Sequence, residues 1–243
     1  MDLSLIIPAF NEHERIVSTL DSVVDFLSQR PWQFEIIVVD DGGHDGTAEL
    51  VADYSVTQPT VRVLRNDRNR GKGFSVRHGV GEATGAVIGF IDADDKTDIG
   101  ATDSAMELLL ESNREGENGS ADMVIGDRTL PDSQMVIPRR GYREWGSRQF
   151  RHLLLRFMGL AEFPDTQCGF KFFRNDVATS LFAAQLTDGY MFDVEIILRA
   201  RALHYRIERL PVRWTDDADS RFNPISGMIR NLSELARIKQ GLR

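Results

Sequence analysis

The sequence predicts an α/β fold: a doubly wound, mostly parallel sheet with helices on both faces. Short apolar runs of strand length recur through the first half of the chain, stretches of helical period separate them, and the runs end in carboxylates or turn residues. A strand that reads as an unbroken apolar run is covered on both faces, as strands of a parallel sheet are. A length of 243 residues suits one large domain, residues 1–243, better than two.

In chain order the expected strands are residues 3–7, 35–39, 61–64, 87–91 and 123–125, and the expected helices are 12–27, 47–54, 72–80 and 102–110. The second half is less regular. It reads as a basic amphipathic helix over 139–160, a short strand at 169–173, a helix at 190–203, a final strand at 206–214 and a closing helix at 224–240. Ligands of such sheets bind beyond the carboxyl ends of the strands. Four such ends carry polar groups: Pro8-Ala9-Phe10-Asn11-Glu12, Asp40-Asp41-Gly42, Asn66-Asp67 and Asp92-Ala93-Asp94-Asp95. No internal repeat or linker divides the chain.

Composition narrows the function. A formal net charge of -8 argues against a general nucleic-acid binder, which needs a concentrated basic surface. The single cysteine, Cys168, excludes an internal disulfide framework and fits a reducing, cytoplasmic setting. The N-terminus lacks the basic and apolar regions of a secretory signal. No window reaches the roughly 18 apolar residues that a spanning helix needs.

Asp92-Ala93-Asp94 closes the very apolar run IGFI. Carboxylates beside a hydrophobic core need a cation or strong hydrogen bonds. In extended backbone, residues i and i+2 face the same way, so both can face one hard divalent ion. An isolated pair of this kind also suits a solvated turn or a helix N-cap, and the position after the fourth strand is what favours the ion. Of the carboxylates after the second strand, Asp45 suits a helix cap, whereas Asp40 and Asp41 are left to accept from a nucleobase. Arg70-Gly71-Lys72-Gly73 reads either as an anion cradle or as a plain turn, and its spacing is that of neither a Walker loop nor a dinucleotide fingerprint.

IIPAFNE, VVDDGGHDGT, NRGKG and DADD, in this order, resemble the family 2 glycosyltransferases of the GT-A fold. The later segments GDR, DTQCGFKFF and FDVEIILRA resemble the branch that glycosylates polyprenyl phosphates, dolichyl-phosphate β-glucosyltransferases above all. The resemblance implies that Pro8, Phe10, Asn11, Glu12, Asp40 and Asp41 line a nucleotide pocket, that Lys72 lies near the diphosphate, and that Asp92 and Asp94 hold Mg²⁺ or Mn²⁺. It implies acceptor-phosphate contacts at Arg128, Arg143 and Ser147, with Lys171 and Arg221 as further cations. Asp94, Arg128 and Asp193 are the residues on which catalysis is expected to rest. Residues 1–127 form the nucleotide-sugar and metal half, and residues 128–243 the acceptor half. Relatives often have Tyr where Phe10 stands and a Gly-Ser-Lys loop where this chain reads Ala218-Asp219-Ser220-Arg221. Membrane-spanning helices found in many relatives are absent.

The reaction implied is inverting transfer of a hexose, glucose from UDP-glucose, to a polyprenyl phosphate. A phosphate monoester is already anionic at neutral pH and needs no general base. The alternatives are GDP-mannose as donor, a soluble hydroxyl as acceptor, or a non-catalytic nucleotide-sugar binder. The expected location is cytoplasmic and peripheral at the membrane, with a membrane protein as a candidate partner. Over 139–160, Phe150, Leu153, Leu154, Phe157 and Met158 share one helical face, and six arginines oppose the lone Glu144. Packing against the sheet is the alternative use of that helix; for the stripe Ile225, Met228, Ile229, Leu232 and Leu235 it is the expected use, with membrane contact as the alternative.

Overall fold

A computed structural model of the chain describes residues 1–110, 120–136, 158–215 and 234–241. The expected alternation is present: β1 (Leu3–Ala9), α1 (Ile16–Ser28), β2 (Phe34–Asp40), α2 (Thr47–Thr57), β3 (Val61–Arg65), α3 (Lys72–Glu82), β4 (Val87–Ile91), α4 (Ala101–Leu110) and β5 (Met123–Asp127). There follow β6 (Gln134–Met135), β7 (Phe170–Arg174), α5 (Asn175–Ala183), α6 (Phe192–Ala202), β8 (Ile207–Pro211) and β9 (Arg213–Trp214). Residues 234–241 are helical. The helix at 139–160 lies outside the described residues apart from its last three positions, as do residues 224–233 of the closing helix.

Seven strands form one sheet in the order β3-β2-β1-β4-β7-β5-β8. All neighbours run parallel except β7, which is antiparallel to both β4 and β5. Alternation along each strand divides the core in two. Leu3, Leu5 and Ile7 of β1 pack with Ile16, Leu20, Val23, Met106 and Leu109 of α1 and α4 on one face. Ile6, Ile37 and Val39 pack with Val76, Leu181, Phe192, Ile197 and Ile238 on the other. Leu235 and Ile238 are thus core residues of the closing helix, the packing use expected of its stripe, whose other four residues lie outside the described residues.

Three expectations shift. α1 begins at Ile16 rather than residue 12, because Asn11 takes a left-handed φ of 56° and the Arg15 and Ile16 amides donate to the Glu12 carbonyl in a turn. The run at 206–214 is two strands, since Val212 breaks the ladder by donating to the Ser133 hydroxyl and β9 then pairs with β6. Helix α5 was not expected. Its Val177, Ala178, Leu181 and Phe182 form a short apolar stripe on a helix of only nine residues.

Candidate active site

Asp92 follows β4, and its amide still donates to the Gly169 carbonyl beside β7 at 3.2 Å. Its carboxylate lies over Gly169 so closely that an added Cβ there would come 1.9 Å from Oδ2. Glycine at 169 is what lets the carboxylate sit in this position. Asp92 Oδ1 is 2.5 Å from Lys72 Nζ, at the start of α3. Burial pushes the Asp92 carboxyl up, but Lys72, with Lys171 and Arg128 behind it, more than offsets this and holds it below the usual carboxylate range. Ala93 turns inward, its carbonyl accepting from Thr19 Oγ1 at 2.8 Å. Asp94 meets Lys96 Nζ at 3.3 Å. Its carboxyl is raised, by burial first and then by the like charge of Asp92.

The sequence leaves the Arg70–Gly73 loop open between an anion cradle and a plain turn, and the loop holds an anion from within the chain. The Arg70 and Gly71 amides do cradle an anion, but it is the Asp41 carboxylate, at 2.9 and 2.8 Å, with Asn66 Nδ2 also donating to it at 2.8 Å. Gly73 serves packing: a Cβ there would lie 2.7 Å from the Phe192 Cβ and 2.9 Å from the Thr187 carbonyl. Of the loop's two cations, Arg70 lies over the Phe74 ring and Lys72 meets Asp92; Lys72 is raised because Asp92 and Asp193 outweigh the burial that would lower it.

Asp40 and Asp41 therefore differ. Asp41 has both oxygens engaged, whereas Asp40 is 1% exposed and its Oδ2 has no hydrogen-bond partner. Arg65 Nε stands 3.2 Å from that oxygen, outside hydrogen-bonding geometry. Burial, above all, raises the Asp40 carboxyl. A buried acceptor in this state suits an incoming N–H donor. Around it, Asn11 Oδ1 accepts from the His44 amide, Asp45 from the His13 and Thr47 amides, and Thr47 Oγ1 from the Glu12 amide. Asp45 covers the first amide of α2 from one residue before the N-cap, which is Gly46. Phe10 is 41% exposed at the end of β1, Pro8 is half-buried in that strand, and the Glu12 carboxylate pairs with Arg15 at 2.7 Å.

From the second half, Arg128 stands at the end of β5, where Asp165 takes Nε and Nη2 at 2.7 Å each and the backbone amide at 2.9 Å. Lys171, expected among cations reaching for an acceptor, is instead 0% exposed on β7, with Nζ 2.5 Å from Asp193 Oδ1 and 2.8 Å from the Cys168 carbonyl. Burial raises the Asp193 carboxyl, and Lys171 and Lys72 only partly offset it. Glu195, with 0% side-chain exposure, is a brace: it accepts from the Leu186 and Thr187 amides and pairs with Arg199 at 2.7 Å. Cys168 is buried, its thiol pushed up to about 12 chiefly by burial, which makes it a packing residue and not a nucleophile. Arg143, Ser147 and Arg221 lie outside the described residues. Sequence reasoning gave no role to Asp165 or Gly169, although both sit in DTQCGFKFF, one of the segments that carry the resemblance.

The strand ends thus gather the buried Asp40, two carboxylates after β4, a half-buried Lys72 and a buried Lys171. Residues 4–182 match the family described as Glycosyl transferase family 2. The chain belongs to this family. As a family 2 glycosyltransferase it is 33% identical over 245 residues to a dolichyl-phosphate beta-glucosyltransferase of Dictyostelium discoideum, covering 98% of this chain and 73% of that protein. It is 30% identical to the enzyme of the same name from Saccharomyces cerevisiae, over 98% of this chain and 74% of that one. A glucosyl-3-phosphoglycerate synthase from Mycobacterium tuberculosis, solved with Mn²⁺ and UDP-glucose, shares the fold at a TM-score of 0.67 and 18% identity, over 98% of this chain and 78% of that chain. Among the described residues of this glycosyltransferase, no helix is long and apolar enough to cross a membrane.

The donor set of the glycosyltransferase fits a divalent ion. Asp92 and Asp94 repel each other, a cost that a dication would offset, and both offer hard oxygens. No group of three or more candidate ligands occurs among the described residues. Two carboxylates agree with Mg²⁺-type sites, where substrate phosphates and water complete the octahedron.

Proposed function

We propose that this glycosyltransferase transfers glucose from UDP-glucose to a polyprenyl phosphate of the dolichyl type, with inversion, while peripheral at the cytoplasmic face of a membrane. The placement of Asp193 carries the reading. An alcohol acceptor needs a base within hydrogen-bond reach, yet Asp193 is buried against Lys171 as a counter-ion. A phosphate monoester needs none, having a second pKa of about 6. Its oxygen lone pair forms the bond to the anomeric carbon while the bond from that carbon to the diphosphate oxygen breaks, and the electron pair leaves with UDP. No proton need move. The names of the relatives support the acceptor and the sugar.

In this reading Asp92 and Asp94 hold Mg²⁺ or Mn²⁺, which when bound stabilises charge on the departing diphosphate. Lys72 adds a cation beside it. Phe10 offers a flat face to the base, and Pro8, Asn11 and Glu12 frame it. Arg128, with Arg143, Ser147 and Arg221, binds the acceptor phosphate, and Lys171 holds Asp193 in place. Residues 1–127 serve the donor and residues 128–243 the acceptor. The basic segment 139–160 meets anionic headgroups or a membrane-protein partner.

Asp40, with its unsatisfied Oδ2, is assigned to the base. In calorimetry with UDP, Asp40→Ala is expected to lose roughly 1.5 to 3 kcal/mol of affinity at an unchanged thermal midpoint. Asp41→Ala should weaken binding together with stability, because it releases the Arg70–Gly71 loop. Unchanged affinity in Asp40→Ala would remove the assignment.

The activity is tested with a panel of UDP- and GDP-sugars and a polyprenyl phosphate, with and without divalent metal. Metal-dependent glucosyl lipid from UDP-glucose is the expected product. Preference for GDP-mannose, or transfer only to a hydroxyl, overturns the substrate reading, and absence of any turnover leaves a nucleotide-sugar binder.

A further inference from the structure

Arg128 is held on two sides. Asp165, 2% exposed, takes its Nε and Nη2 as a bidentate pair and its backbone amide as well. The ring of Trp214, 6% exposed on β9, lies against the guanidinium with its centroid 5.1 Å from Cζ. Trp214 is itself bridged to Thr97, just beyond the Asp92–Asp95 turn. On the other flank Asp127 is fixed by Arg209 at 2.6 Å and by Thr129. Among the described residues Nη1 meets no acceptor, although the Arg128 side chain is 20% exposed and its guanidinium lies in the field of Asp92.

Arginine ordinarily meets a phosphate through two parallel N–H groups, and the Nε/Nη2 edge is one such fork. Here a carboxylate already fills it. We propose that Asp165 is a positioning residue that reserves the Nε/Nη2 edge of Arg128 and aims Nη1 into the cleft, so that Arg128 meets the anionic acceptor end-on through Nη1. This rests on the reading that Arg128 binds the acceptor phosphate. Held this way, the guanidinium orients the phosphate without enclosing the oxygen that must reach the sugar. Asp165 touches neither donor nor acceptor and acts only through Arg128.

The test is a double-mutant cycle in the full chain, with Asp165→Asn, Arg128→Met and the double variant assayed for acceptor KM, kcat and UDP affinity. Asp165→Asn is expected to raise acceptor KM roughly 10²-fold, the scale of a misplaced contact, with UDP affinity by calorimetry unchanged. The double variant should be no worse than Arg128→Met alone. Additive losses, or an unchanged acceptor KM in Asp165→Asn, overturn the proposal. A second measurement avoids any folding defect of the variants. In the wild type, the ¹⁵N-Nε–H signal of Arg128, assigned by its loss in Arg128→Met, should be protected from exchange. It should stay in place as a short-chain prenyl phosphate or inorganic phosphate is added, while the Nη signals shift. Movement of the Nε–H signal with phosphate means that the fork edge is the one used, and the proposal fails. If the wild type turns over no polyprenyl phosphate, the acceptor reading falls, and the exchange protection still tests whether Asp165 fixes the Arg128 edge.

Discussion

Replacing Asp94 with asparagine is expected to lower turnover by on the order of 10²-fold or more with the fold intact. The substitution keeps the volume and removes one of two adjacent charges. In the protein alone that charge is a liability, since burial and then the neighbouring Asp92 raise the Asp94 carboxyl and Lys96 only partly relieves it. The thermal midpoint of Asp94→Asn should therefore equal or exceed that of the wild type. Its worth appears only when a dication is bound, so the defect should shrink as Mn²⁺ is raised, through a higher apparent Kd for the metal. Initial rates against Mn²⁺ concentration, with scanning calorimetry, check both halves. Wild-type rates for the variant, or full wild-type activity in excess chelator, would end the metal assignment.

What the sequence made legible follows the range of the forces involved. Strands β1 to β5 and helices α2 to α4 lie within a few residues of their expected bounds, because their patterns are local and their apolar runs long. The direction of β7 was not legible: nothing within FKFF says that it inserts between β4 and β5 and runs against both. The two-residue strands β6 and β9 are too short to carry a period. At the site, the carboxylates after β4 were readable from their position, but the partners were not. Asp165 is 37 residues from Arg128, Asp193 is 22 from Lys171, and the Arg70–Gly71 amides are about 30 from Asp41. The Arg70–Gly73 loop was legible only as a cradle or a turn, because an internal carboxylate competes for the same amides that a phosphate would use. Likewise a lysine in sequence reads as a surface cation, and only the inward face of β7 shows it to be buried.

That burial sets the second large effect, expected from Lys171→Met. Asp193 is 2% exposed, and the next cation, Lys72, is already 2.5 Å from Asp92. Removing the Lys171 charge leaves a carboxylate in the interior without its partner, a change that costs about 3 kcal/mol or more. For a chain of this size that corresponds to a fall in Tm of roughly 6 to 12 °C. The loss has a built-in limit, because Asp193 can take up a proton. Burial already raises its carboxyl with Lys171 present, and without Lys171 the folded-state value rises further above the unfolded one. The folded variant then binds more protons than the unfolded chain, so its stability falls as pH rises above the unfolded carboxylate range and recovers as pH is lowered. Adding Asp193→Asn removes the uncompensated charge and should restore most of the midpoint and flatten that pH dependence. Chemical denaturation of the single and double variants across acidic to neutral pH measures all of this. A Lys171→Met protein of wild-type stability with a raised KM for the acceptor phosphate would instead return Lys171 to the acceptor site, and its place as the counter-ion of Asp193 would be lost.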